Sequence, residues 1–415
     1  MGIKITFHTS TQCNLRCTYC YQKNKVYPIM SFDIAKKVLD DLFEYKQFRT
    51  GKIFKYTILF ENLIDEPPIL DFFGGECTLQ IDLINQICEY FESCCKKFNY
   101  KFWLDNYLIN MQSNGTTLAR NTKIATFNDK FKPHIRWAIS IDGCKECHNI
   151  CRLDKNGFGT YDSVVEGINY IKDTFGYTPL TKLTFTKENM PYIQRSISNL
   201  QLLGYNYAPG YFDQISANQQ LTLTEHNLYY ECLKEAIDYI IDNEIYFQWG
   251  ITDKLQTLAA STEPFKQASC GSNGEYLAVK WDGKLYFCPQ MSESFTLSAK
   301  NELCLGTVDM GVTNFNIIDK LRNNTSYISE AECTDCPFKC LCEPCIARNL
   351  RLSGQYNNYK FNCGASLAEI KALFYFIERA IETDYPYFKE LIAEVHSRFP
   401  NGLPNRVYLI DRNNK

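Results

Sequence analysis

Residues 3–20 read Ile3-Lys-Ile-Thr-Phe-His-Thr-Ser-Thr-Gln-Cys13-Asn-Leu-Arg-Cys17-Thr-Tyr-Cys20. Ile3, Ile5 and Phe7 alternate as a strand does, and the strand runs straight into three closely spaced cysteines. Three thiolates in one short loop can hold three corners of an iron–sulfur cube and leave the fourth iron open to a small molecule. An electron carrier usually supplies four. Zinc sites and dithiol redox pairs share the Cys-x-x-Cys element. A structural zinc site needs four closed ligands, for which His8 is the nearest candidate.

The strand-then-loop pattern recurs along the chain. Residues 69–73 form a short apolar run ending at Gly74-Gly75-Glu76, and a helical stretch follows from about Gln80 to Lys97. Run 107–112 ends at Ser113-Asn114-Gly115, and run 136–141 at Asp142-Gly143. Residues 31–46, 161–174 and 191–203 have helical periodicity, with Ser31 as an N-cap, and 180–186 reads as a further strand. Strands alternating with helices imply parallel βαβ units whose ligand face lies at the strand ends. About six such units fit before residue 215, which predicts a partial (β/α)6 barrel over residues 1–220. Segment 48–68 is long for a connection and reads as a hairpin or a lid. A helical connection over 221–264, a cysteine-dense domain over 265–365 and a C-terminal helix and tail over 366–415 complete the expected organisation.

At 415 residues the chain has room for one large α/β unit and a smaller domain. Its net charge of −3 offers no basic field for nucleic acid or an anionic membrane surface. No apolar run is long enough to span a bilayer. Twenty cysteines in 415 residues is below the density of short disulfide scaffolds, and clustered thiols in a reducing compartment are metal ligands more often than bridges. A soluble, cytoplasmic, metal-rich protein is expected.

Taken together, Cys13-x-x-x-Cys17-x-x-Cys20, Gly74-Gly75-Glu76, Gln112-Ser-Asn-Gly115 and Ile139-Ser-Ile-Asp-Gly143 resemble the radical S-adenosylmethionine (radical SAM) enzymes over roughly residues 3–210. The resemblance implies a [4Fe–4S] cluster on Cys13, Cys17 and Cys20 that binds S-adenosylmethionine (AdoMet) at its open iron and cleaves it to a hydrogen-abstracting 5′-deoxyadenosyl radical. By position, Gly74 and Gly75 let the backbone approach the methionine ammonium, which Glu76 helps neutralise. Tyr19 packs on the adenine, Ser113 and Asn114 face the ribose and carboxylate, and Ser140 sits at a comparable strand end. The run Asp142-Gly-x4-His148-x3-Arg152-x4-Gly157-x-Gly-Thr-Tyr161 looks like that of family members acting on peptides, where the arginine contacts the methionine carboxylate. Cys144, Cys147 and Cys151 lie beside this region and read as ordinary thiols.

A second pattern runs Cys270, Gly283, Cys288, Cys333, Cys336, Cys342, Cys345 and Cys363. It resembles the SPASM domain, which carries two auxiliary [4Fe–4S] clusters and brings the expected total to three. By position, Cys333, Cys336, Cys342 and Cys363 would hold one cluster. Cys270, Cys288 and Cys345 would hold the other with three thiolates, completed or not by Cys340 or Cys304. Two residues, rather than the usual three, precede the sixth cysteine, and Tyr276 stands where some relatives have an extra cysteine. Two zinc knuckles are the competing reading.

The expected function is modification of a peptide or protein substrate, with a thioether or carbon–carbon crosslink in a ribosomally made precursor peptide as the product. An external electron donor of the flavodoxin or ferredoxin type is implied. With the first strand at residue 3, leader recognition falls to a separate protein or to inserted surfaces. The alternative within the class is an anaerobic sulfatase-maturating enzyme, which makes formylglycine from Cys or Ser. Those enzymes have an aspartate base directly after the cysteine matching Cys288, and here that residue is Pro289. From another class, a non-catalytic multi-cluster electron carrier or a zinc-binding module remains open. The sequence leaves the residue that loses hydrogen and the acid and base groups unassigned.

Overall fold

A computed structural model describes residues 2–22, 28–58, 61–212, 220–260, 276–293, 302–323, 336–338, 341–342, 345, 347–349 and 363–398. The chain divides into two compact units: Met1–Ser140, Leu153–Leu180 and Gln267–Thr325 in the first; Ile141–Arg152, Thr181–Lys266 and Ser326–Lys415 in the second.

The first unit is built on a parallel-dominated sheet. Strands β1 (Lys4–His8), β2 (Ile69–Phe73), β3 (Leu108–Ser113) and β4 (Ile135–Ser140) lie side by side in chain order, all parallel. On the other side of β1 lies β9 (Tyr276–Lys280), also parallel, and the sheet continues as an antiparallel ribbon of β10 (Lys284–Tyr286), β11 (Gly306–Thr307) and β12 (Gly311–Val312). Strands β9 to β12 thus come from the stretch that reads in sequence as the opening of a cysteine-rich domain. They fill the edge of β1, which has no other partner on that side.

With neighbours on both sides, β1 is buried on both faces: Thr6 and His8 are as inaccessible as Ile5 and Phe7. One buried carboxylate gathers the polar groups of neighbouring strands. Asp71, in the middle of β2, accepts from Thr6 Oγ1 (2.8 Å) and Gln112 Nε2 (3.1 Å) and pairs with Lys4 (3.2 Å), so one carboxylate ties three strands. The helices Phe32–Phe48, Ile81–Lys97, Thr122–Phe131 and Tyr161–Phe175 supply the apolar faces expected from periodicity. Ser31 is the N-cap position of the first, without a side-chain capping bond. The described part of segment 48–68 forms no hairpin. A short helix, Phe54–Thr57, hangs from the buried Asp41 carboxylate, which accepts the backbone N–H groups of Lys52, Ile53 and Phe54, and the turn Glu61–Ile64 follows.

In the second unit β5 (Leu180–Phe185) pairs parallel with β7 (Gly210–Phe212), and β6 (Tyr207–Ala208) with β8 (Gln248–Trp249). The helical connection expected over 221–264 opens with the helix Leu223–Asp242, which ends there because the chain turns through Glu244 at φ 50° to begin β8. It runs against helix Cys363–Glu382, joined by Tyr375 Oη to Asp238 (2.7 Å), Arg379 Nη2 to Asp242 (2.7 Å) and Tyr229 Oη to Glu369 (3.2 Å). Among the described residues no helix is long and apolar enough to cross a membrane.

Two glycines in helices have opposite surroundings. A Cβ on Gly167 would lie 2.2 Å from the carbonyl oxygen of Gly115, while one on Gly364 meets nothing closer than 3.4 Å. Gly167→Ala is expected to destabilise by about 1–3 kcal/mol through overpacking. Gly364→Ala should stabilise by about 0.5–1 kcal/mol through the unfolded chain. Urea unfolding curves of the two variants measure both.

Candidate active site

The cysteine loop is fastened before its first thiol. Thr9 N donates to Phe73 O (3.0 Å), Gly75 N to Ser10 O (2.9 Å) and Glu76 N to Gln12 O (2.7 Å), so residues 9–12 run against the turn after β2. A Cβ on Gly74 would sit 2.5 Å from Ser10 O, and one on Gly75 would sit 2.2 Å from Gln12 O. The space those glycines open is therefore filled by the approach of the cysteine loop, a use of Gly74 and Gly75 that the sequence does not reveal. Beyond this anchor, Leu15 is buried, Arg16 N donates to Leu153 O (2.7 Å), and Leu15 bridges Asp154. Cys13, Cys17, Tyr19 and Cys20 are each half-buried on this loop.

Glu76 points inward. Its Oε1 accepts from Thr78 N (3.3 Å), Thr78 Oγ1 (2.7 Å) and Ser113 Oγ (2.8 Å), and its Oε2 from Asn114 N (2.7 Å). Burial pushes its carboxyl above the ordinary range, and these donors act in the opposite direction. The carboxylate read from the sequence as a partner for a ligand ammonium also clamps the end of β3, Ser113 and Asn114, to the turn after β2. Asn114 in turn reaches the cysteine loop: its Nδ2 donates to Asn14 Oδ1 (2.8 Å) and faces Cys13 Sγ (3.9 Å). Ser140 ends β4, half-buried. The sequence motifs leave Asn14 and Thr116 without a role. Their only sequence signal is an amide and a hydroxyl at the ends of two adjacent loops.

The residues present suit an iron–sulfur cube. Leu15 N donates to Cys13 Sγ (3.4 Å). Among the described residues no group of three Cys, His, Asp or Glu side chains is placed to hold a single metal ion.

In the second unit, Arg152 is almost fully buried, with Nε on Asp142 Oδ2 (2.8 Å) and Nη2 on Asp142 Oδ1 (3.1 Å). Thr184 N also donates to Oδ1 (3.0 Å), and Asp142 N donates to His148 Nδ1 (3.4 Å). The arginine expected at a ligand carboxylate thus has two donors committed to a buried carboxylate that fixes its plane. Burial holds the His148 imidazole neutral, with its pKa lowered to about 3. Cys144, Cys147 and Cys151 are buried, beside Ser196 Oγ, Asn189 O and Thr186 Oγ1 respectively.

Of the C-terminal cysteines, Cys270, Cys333 and Cys340 lie outside the described residues. Cys288 directly precedes helix Pro289–Glu293 in the first unit. Cys336, Cys342 and Cys345 are half-buried in the second, where exposed Cys363 opens the long helix. Cys304 Sγ contacts Gly306 O (3.2 Å).

The architecture has solved counterparts. The anaerobic sulfatase-maturating enzyme anSMEcpe with bound AdoMet and Cp18Cys peptide superposes with a TM-score of 0.66 at 18% identity, over 96% of this chain and 100% of that one. SuiB of Streptococcus suis bound to precursor peptide SuiA gives 0.54 at 13% identity, over 85% of this chain and 73% of that one. The fold is that of the radical SAM enzymes. Sequence comparison finds a cysteine-type anaerobic sulfatase-maturating enzyme of Clostridium perfringens, 25% identical over 67% of this chain and 72% of that protein. An uncharacterized protein of Methanocaldococcus jannaschii is 31% identical over 49% of this chain, a match spanning 60% of that protein's length. No family model matches. In this radical SAM fold, the loop at Cys13–Cys20 and the ends of β2 and β3 adjoin one another in the first unit.

Because the unfolded chain protonates its histidines near pH 6.5 and folded His148 does so only near 3, its contribution to stability is full above pH 6.5 and is lost as pH falls toward 3. His148→Asn is expected to remove about 1.4 kcal/mol per pH unit from the slope of unfolding free energy between about pH 6 and 4. Urea titrations of both proteins across that range check it.

Proposed function

We propose that this protein is a radical SAM enzyme that cleaves AdoMet reductively and abstracts hydrogen from a residue of a peptide or protein substrate. The observation that carries the reading is the Cys13–Cys20 loop, held between the Gly74-Gly75-Glu76 turn and the Ser113-Asn114 strand end. It does so on a fold shared with enzymes solved with AdoMet and with peptides. Cys13, Cys17 and Cys20 would hold the cluster, with Tyr19, Ser113, Asn114, Ser140 and Arg152 around the AdoMet. When bound, cluster and AdoMet supply one-electron cleavage and a hydrogen-abstracting species. The chain's own part is to hold the three thiolates, orient the ligand and keep water out.

The cysteines of residues 265–365 are proposed to form a SPASM-type domain with two auxiliary clusters, on Cys333, Cys336, Cys342 and Cys363 and on Cys270, Cys288 and Cys345. Held there, such clusters would supply a place for the electron left after hydrogen abstraction. An external flavodoxin- or ferredoxin-type donor supplies the electron for AdoMet cleavage, in a cytoplasmic setting.

Two products compete. Pro289 follows Cys288 and opens a helix, so no side chain there can take a proton. That favours a thioether or carbon–carbon crosslink in a precursor peptide. The fuller structural match to the sulfatase-maturating enzyme favours formylglycine.

Anaerobic reconstitution, reduction and addition of AdoMet should yield 5′-deoxyadenosine, lost in Cys13→Ala. An equal yield in that variant overturns the reading and leaves an electron carrier or a zinc module. Gly75→Ala, whose Cβ displaces residues 11 and 12, should slow the cleavage about 10²-fold. Mass spectrometry separates the products: formylglycine in a peptide with a Cys- or Ser-centred sulfatase motif sinks the crosslink, and loss of hydrogens with a new bond in a precursor peptide sinks the sulfatase role.

A further inference from the structure

We infer that Asn114 tunes the reduction potential of the cluster proposed on Cys13, Cys17 and Cys20, by presenting its amide N–H to the Cys13 sulfur. The inference rests on that cluster reading and goes beyond it, since the resemblance assigns Asn114 to AdoMet.

The orientation of the amide is set by its neighbours. Asn114 Oδ1 lies 3.1 Å from Thr116 N, a group that can only donate, so the atom turned that way is the oxygen. Thr116 Oγ1 donates to the same oxygen at 2.7 Å and accepts from Asn14 Nδ2 at 2.8 Å, while Asn14 Oδ1 accepts from Asn114 Nδ2 at 2.8 Å. The three side chains therefore close a ring of hydrogen bonds in which each donor and acceptor has one consistent assignment. Flipping the Asn114 amide would set an N–H against the Thr116 N–H.

The nitrogen that results faces two acceptors, Asn14 Oδ1 and Cys13 Sγ, the latter at 3.9 Å. At that range the charge on a thiolate carries the contact. The Asn114 backbone is fixed as well, its N–H donating to Glu76 Oε2 at 2.7 Å, and the side chain is mostly buried. A donor so held cannot swing away to solvent when the sulfur changes charge.

Hydrogen bonds to cluster sulfurs are one of the determinants of cluster potential. One-electron reduction places more negative charge on the sulfurs, so a fixed N–H stabilises the reduced form more than the oxidised form. The midpoint moves up, toward what a biological donor can reach.

The test uses the full chain, reconstituted anaerobically and titrated with reductant. The electron paramagnetic resonance signal followed is the one absent from Cys13→Ala. Absence of any such signal defeats the cluster reading itself and so is distinguishable from failure of this inference. With iron and sulfide content matching wild type, Asn114→Ala and Asn114→Asp are expected to lower the reduced-to-oxidised ratio at a fixed potential about tenfold. For a one-electron couple that is a midpoint about 59 mV more negative. Thr116→Val keeps the donor but opens the ring, and should shift the midpoint in the same direction by less. An unchanged midpoint in the Asn114 variants overturns the proposal, and weaker AdoMet binding at an unchanged midpoint returns Asn114 to a ligand contact. If the Asn114 variants fail to hold iron, Thr116→Val decides, and an unmoved midpoint there overturns the proposal equally.

Discussion

The carboxylate of Glu76 accepts hydrogen bonds from Thr78, Ser113 and Asn114, while the backbone N–H of the same residue donates to Gln12. One residue thereby binds the end of β1, the turn after β2 and the end of β3. A buried carboxylate is tolerable only when its donors are all in place, because its desolvation is large and each missing bond leaves that cost uncompensated. The requirement runs both ways: the strand ends position the donors, and the charge holds the strand ends. The cysteine loop inherits its place from this arrangement, through Gln12 on one side and Asn114 on the other. A similar device recurs in the sheet at Asp71, and in the second unit at Asp142 with Arg152 and Thr184.

Parallel pairing explains why these charges sit where they do. A parallel strand with neighbours on both sides is buried on both faces, so any polar residue in it must find a partner across the ladder. At the strand ends the ladder stops, backbone groups become available, and loops from adjacent strands meet. Buried carboxylates there organise several loops at once, which a site assembled from separate turns requires.

Place also sorts the cysteines. Those of the Cys13–Cys20 loop are half-buried, with Cys13 Sγ facing the N–H groups of Leu15 and Asn114, whereas Cys144, Cys147 and Cys151 are buried against one neighbouring segment. For Cys147 burial raises the thiol well above its usual pKa, which favours the protonated form. Spacing alone makes the two sets alike.

Much of this protein was legible in its sequence. The alternation of β1, the helical periodicities and the turn signals after β2, β3 and β4 are local properties, set by chain geometry, and they placed the elements to within a few residues. The cysteine triplet and the strand-end motifs named a chemistry because thiolates and glycines are few in kind and narrow in use. The partner of β1 on its far side was not legible. Tyr276–Lys280 is a five-residue run lying far along the chain, and strand pairing depends on what other edges remain open. Nor were the inward turn of Glu76, the loan of two Arg152 donors to Asp142, or the Asn14–Thr116–Asn114 ring. Those depend on distances between residues about 10 to 100 positions apart, which tertiary packing alone fixes. The sequence determined which groups are present and which elements carry them. The tertiary structure decided which of those groups hold one another in place, because a buried charge must be satisfied by whatever donors the fold brings within reach.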